Sequence, residues 1–242
     1  MDNDPVEFIH RYHEQEDIEI AGFLAAQFAY GRIEIFKRFL EAIFTLMEDG
    51  PRKFVERGDF GHLKGFYYRF QKDGDIILLF ESLRKIYGDF GSMGAMLKTY
   101  YRGDVREALW AVRQHLFHDN DALTFFFPRF STTNPLKRWN LYLRWMVRKD
   151  AIDRGLWDFI DRSNLVIPLD THLFKIGRCF GWTKRASQSY AAALEITDVL
   201  KNLSPDDPLK YDFFLCHKIG IGAGCAGKKT SQCKEVCLLY EV

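Results

Sequence analysis

Apolar residues recur along this chain every three or four positions, the period of one helical face. Between 18 and 30, Ile20, Phe23, Leu24 and Phe28 keep that spacing in an almost wholly apolar stretch, the mark of a helix buried on every side. From 32 to 48, Ile33, Phe36, Phe39, Leu40, Ile43 and Met47 share one face, and Gly50-Pro51 stops the run. Asp4-Pro5-Val6-Glu7 supplies a cap, a first-turn proline and an early acid for a short helix reaching Tyr12. Similar punctuation predicts helices over 51–57, 75–87, 92–102, 104–117, 121–129, 137–149, 155–162, 171–180, 186–202 and 208–221. The β-like run 76–80 has no hairpin turn beside it and no crossover pattern after it. The expected class is all-α, with no internal repeat.

Composition narrows the picture. A chain of 242 residues without a Pro-, Gly- or Ser-rich linker is expected to fold as a single unit. Hydrophobic residues at 47% and aromatics at 16% exclude a disordered chain. A net charge of +1 excludes a polycation, so any nucleic-acid surface must come from local segregation of charge. The start, Met1-Asp2-Asn3-Asp4-Pro5, shows no basic segment before an apolar run, and no uncharged apolar stretch reaches the roughly 18 residues of a membrane span. A cytoplasmic protein without membrane attachment is expected. Of five cysteines, Cys216, Cys225, Cys233 and Cys237 lie near the C-terminus, which in a reducing compartment points to metal or cluster ligation rather than disulfides.

Two residues stand where chemistry is plausible. Pro135 predicts a helix start that puts Lys137 in the first turn, where the positive end of the helix dipole and Arg138 favour the neutral, nucleophilic amine. Along that helix Trp139, Tyr142, Leu143, Met146 and Val147 form an apolar side, while Asn140, Arg144 and Arg148 follow one another at i+4 as a basic ridge. Asp170 ends the extended Ile167-Pro168-Leu169 and precedes Thr171-His172-Leu173-Phe174-Lys175-Ile176, so it occupies an N-cap position. A capping carboxylate stays ionised and is suited to stabilise an oxocarbenium-like centre. His172 reads as a cleft hydrogen-bonder or as a structural first-turn histidine. The glycine-rich run from Gly220 has no strand before it and reads as a helix stop.

Leu169-Asp170-Thr171-His172, with Lys137 in Lys-Arg-Trp-Asn-Leu-Tyr-Leu, resembles the catalytic segments of the helix-hairpin-helix DNA glycosylases typified by endonuclease III and the 8-oxoguanine glycosylases. Phe23-Leu24-Ala25-Ala26-Gln27 is similar to that superfamily's Leu-Leu-Ser-Ala-Gln segment. A closer likeness is to a bacterial branch known as domain of unknown function 2400, through Glu16-Asp17-Ile18-Glu19-Ile20-Ala21-Gly22, Leu143-Arg144-Trp145-Met146-Val147-Arg148, Gly155-Leu156-Trp157 and Pro205-Asp206-Asp207-Pro208.

The resemblance implies a two-lobed architecture with a cleft between lobes at roughly 32–136 and 1–31 plus 137–242. It implies a monomeric base-excision enzyme with AP lyase activity that acts on damaged double-stranded DNA without a required cofactor. Lys137 and Asp170 would be catalytic, His172 a pocket residue, and Gln27 the side chain filling the gap left by an extruded base. Arg138, Arg144, Arg148 and Lys175 would meet phosphates. Thr133-Asn134-Pro135-Leu136 stands where the superfamily's hairpin has Gly-x-Gly, and residues 150–164 read as an inserted helix. The endonuclease III pattern C-x6-C-x2-C-x5-C is answered here by C-x7-C-x3-C from Cys225, with Cys216 as the fourth ligand of an iron–sulfur cluster or zinc. Two alternatives are a catalytically inactive DNA-binding protein of the same fold and a redox protein using the cysteines.

Overall fold

A computed structural model describes residues 4–240. Met1-Asp2-Asn3, on which part of the no-leader expectation rests, lies outside them, as does Val242. The described residues are helical, with two isolated β-bridges, Tyr68 to Gln71 and Lys149 to Arg154, and no strand. No helix among them is long and apolar enough to cross a membrane. The chain divides into two units. One holds the residues up to Phe130 together with Trp145–Phe159, the other Ser131–Arg144 with the residues from Ile160 onward. Residues 4–31 thus belong with the first unit, not with the C-terminal residues as the lobe boundaries above expected.

In the first unit, α1 (Gln15–Phe28) is buried from Ile18 to Phe28. It runs among the capped 3-10 helix Pro5–Arg11, α2 (Ile33–Thr45), α3 (Pro51–Arg57) and α5 (Met93–Tyr100). The β-like run 76–80 lies inside α4 (Asp73–Phe90), where Ile76, Leu79 and Phe80 keep helical spacing on a buried face. The helix expected over 121–129 is cut to Asp121–Leu123 after α6 (Val105–Phe117). Pro128 disfavours helical backbone at Phe127, whose carbonyl accepts a 2.7 Å hydrogen bond from buried Arg113 Nη1.

The helix expected over 155–162 also does not form. Residues 149–157 fold back on the end of α7 (Lys137–Val147): Arg154 N donates to Trp145 O at 2.8 Å and Trp157 N to Met146 O at 2.8 Å, which satisfies carbonyls a helix end leaves open. Gly155 turns the chain there with φ of 60°. Of the expected inserted helix, only the 3-10 turn Arg162–Asn164 remains.

Trp157 is fixed by the least expected residue of α1. Glu19 is fully buried, and its Oε1 accepts from Trp157 Nε1 at 2.8 Å while its Oε2 accepts from Met93 N at 2.9 Å and Tyr87 Oη at 3.3 Å. Burial pushes the Glu19 carboxyl above the usual carboxylate range, against the hydrogen bonds that pull it down. The folded state therefore holds the proton at pH values where the unfolded chain has released it, and stability falls as pH rises from the ordinary glutamate value of 4.5 through the folded one. Glu19→Gln is expected to flatten that slope, read as urea midpoints across the window. It also lowers the whole curve by about 1–3 kcal/mol, because an amide NH2 would face N–H donors that only a carboxylate can accept.

The second unit is built on an apolar cluster from α8 (Thr171–Cys179), α9 (Tyr190–Leu203) and the π-helical turn Leu215–Gly222. Ile167, Leu173, Ile176, Ile196, Leu200 and Ile219 are among its buried members. The glycine-rich run does end a helical segment, as expected.

Candidate functional site

The two helix starts chosen from the sequence are both present, and both lie in the second unit. α7 begins at Lys137, after Leu136 in left-handed backbone with φ of 52°. That conformation, uncommon for a leucine, is held by the loop before it: Leu136 N donates to Asn134 Oδ1 at 2.9 Å, and Ser131 Oγ accepts from Thr133 N at 3.1 Å and Asn134 N at 3.3 Å. These amides are committed to side chains of the loop, so the segment does not offer them to a phosphate in the way a Gly-x-Gly hairpin would.

Asp170 caps α8. Its Oδ1 accepts from Leu173 N at 2.8 Å, as an N-cap requires. The capping bond uses one oxygen, and the other faces the π-helical turn, where Cys216 Sγ donates to Oδ2 at 3.6 Å. Burial pushes the Cys216 thiol well above its usual range, and Asp170 and Asp212 push it further, while Lys137 acts in the opposite sense. Lys137 and Asp170 thus act on the same sulfur, and each is half-buried. A protonated thiol between two carboxylates is a hydrogen-bond donor, neither a nucleophile nor a ready metal ligand.

Arg144 holds Asp212. The pair is buried, with side chains 4% and 3% exposed, and is joined by a hydrogen-bonded ion pair. Arg148, in the first unit, is ion-paired with buried Asp153 and, at 3.1 Å, with Asp150. The expected phosphate-contacting ridge is therefore corrected at both arginines: their guanidinium groups are directed to internal carboxylates. Arg138 is half-buried, and Lys175 is exposed on α8. Gln27, expected to enter a duplex, is 0% exposed inside α1, so it is not presented for insertion.

His172 is half-buried, and its Cβ would stand 2.6 Å from a Cβ added at Gly220. The glycine lets the π-helical turn approach α8, which brings Cys216 to Asp170. Gly220→Ala gains up to about 1 kcal/mol of helix propensity but overpacks a Cβ–Cβ contact that no rotamer relieves, at about 1–3 kcal/mol. A lowered melting temperature is expected.

The cysteines group differently from the expected set. Cys225, Cys233 and Cys237 share a cavity wall with Cys179, the last residue of α8, and Cys216 is not in that wall. The Cys179 thiol is pushed up to about 11, by burial first and then by Cys225, Cys233 and Cys237. Cys179 was missed because it stands alone in sequence, without the short spacing that marks the other three. Cys216 and Asp212 likewise carry no local signal of their place beside Asp170.

A family model described as a protein of unknown function (DUF2400) matches residues 4–221. No curated protein and no solved structure matches the chain.

Proposed function

The chain belongs to the DUF2400 family, and we propose that it is a DNA base-excision glycosylase with AP lyase activity, in which Lys137 is the nucleophile and Asp170 the assisting carboxylate. One observation carries the reading: the fields of both residues meet at the Cys216 thiol, although the two helix starts are distant along the chain. The motifs around them are those of the helix-hairpin-helix glycosylases.

A base stacked in a duplex cannot be reached in place, so the substrate is a damaged nucleotide turned out of the helix. The neutral Lys137 amine attacks the anomeric carbon. A C–N bond to lysine forms as the glycosidic bond breaks, and the base leaves with the bonding electron pair and takes up a proton. Loss of the amine proton with opening of the sugar ring gives a Schiff base, from which strand cleavage follows. Asp170 stays ionised by capping α8 and offsets the positive charge that develops at the sugar. Arg138 and Lys175 are the remaining candidates for phosphate contacts, which makes affinity fall with salt.

The test is the full chain with duplexes carrying defined base lesions or an abasic site, in the presence of borohydride. A covalent protein–DNA adduct is the expected result. Binding with neither adduct nor base release on any lesion would replace this reading with that of an inactive DNA-binding protein. Absence of binding as well would remove nucleic acid as the partner.

A further inference from the structure

Away from Lys137 and Asp170, the second unit contains a cavity of about 150 Å³ whose wall includes Cys179, Cys225, Cys233 and Cys237. The four come from two places: the last residue of α8, and the segment after the π-helical turn, in which Cys233 opens the short helix Cys233–Val236 and Cys237 caps it. All four are free thiols, each half-buried.

We infer that Cys179, Cys225, Cys233 and Cys237 form a four-thiolate metal centre. Four thiols around one small cavity are the ligand set of a tetrahedral zinc ion or of an iron–sulfur cluster, and soft thiolates select those metals over calcium or magnesium. Among the described residues, no three His, Cys, Asp or Glu groups are gathered tightly enough to hold a single ion. The sulfurs instead ring a volume about five times a water molecule's share of roughly 30 Å³, a space that suits a cluster better than one ion.

The surroundings suit bound thiolates. Thr230 N donates to Cys233 Sγ at 3.3 Å, the kind of amide–sulfur bond that orients a ligand. Lys228 and Lys229 are in the wall, and Lys229 Nζ is held over the rings of Phe180 at 5.3 Å and Tyr240 at 5.7 Å. Positive charge there offsets the net negative charge that four thiolates bring to either centre. Binding releases the thiol protons and ties the C-terminal segment to the end of α8, so the centre also has a structural role.

The inference does not rest on the repair reading, since its readout is metal rather than activity. The experiment is metal and acid-labile sulfide analysis, with visible absorption, of the full chain purified without oxygen and again after incubation with ferrous iron and sulfide or with Zn²⁺ alone. Iron with sulfide and a visible band is the expected result. Stoichiometric zinc without sulfide keeps the four-cysteine centre and makes it a single-ion site. No stoichiometric metal under any of these conditions overturns the centre. Cys179→Ser and Cys233→Ser are each expected to lose the metal, while Cys216→Ser retains it. Metal loss in Cys216→Ser with retention in Cys179→Ser would overturn the assignment. Helical circular dichroism of each variant separates lost ligation from lost folding, and Cys233→Ser, at a less central position, serves if Cys179→Ser does not fold.

Discussion

Lys137→Ala is expected to abolish borohydride-dependent crosslinking to damaged DNA while leaving the fold and most of the DNA affinity in place. The substitution removes the attacking amine from the first turn of α7. Alanine is the best helix former, and a half-buried lysine leaves no large void behind it, so stability should hold within about 0.5 kcal/mol. Asp170→Asn separates charge from capping. Its side-chain oxygen still accepts from Leu173 N and preserves the cap, but the negative charge is gone, and single-turnover base release should fall by about 10²–10³-fold. Asp170→Ala loses the cap as well, at about 0.5–2 kcal/mol. Adduct formation by Lys137→Ala at the wild-type rate would remove Lys137 from the chemistry. An Asp170→Asn variant as fast as wild type would reduce that carboxylate to a cap.

The difference between what the sequence discloses and what it conceals follows from how local each signal is. The starts of α7 and α8 could be read because Pro135 and Asp170 act on backbone within one turn of themselves. Burial of α1 could be read because an apolar run with no polar face has only one stable environment. Partners brought from far along the chain could not be read. The i+4 spacing of Arg144 and Arg148 is the same whether the ridge meets water or carboxylates supplied by Asp212 and Asp153. Glu19 lies in a helix whose pattern predicts full burial, yet nothing nearby announces that Trp157, Met93 and Tyr87 will converge on it. The cysteines make the same point: the three closely spaced ones could be grouped, but the fourth lies at the end of a helix far upstream, and the nearer candidate, Cys216, is engaged with Asp170.

The second large effect decides between the two readings of the ridge. Arg144→Met is expected to destabilise the protein by about 3–5 kcal/mol, because methionine fills much of the arginine's volume but withdraws the guanidinium from a carboxylate taken out of water. Against a typical total of roughly 5–15 kcal/mol, that shift moves the urea midpoint far enough to measure without ambiguity. Arg144→Met with Asp212→Leu removes both charges, and burying two apolar side chains in place of an ion pair is often neutral, so the double variant should recover most of the loss. Its recovery separates electrostatics from packing, since a packing defect at position 144 would persist in the double variant. Were Arg144 a phosphate contact on the surface, the opposite pattern would appear: stability within about 0.5 kcal/mol of wild type, and a salt slope of DNA binding smaller by about one. The ion pair also bears on the candidate site, because Asp212 is one of the two carboxylates that keep the Cys216 thiol protonated. The double variant should therefore leave Cys216 more reactive toward a thiol reagent at mildly alkaline pH than it is in the wild-type chain, with Asp170 alone still opposing ionisation.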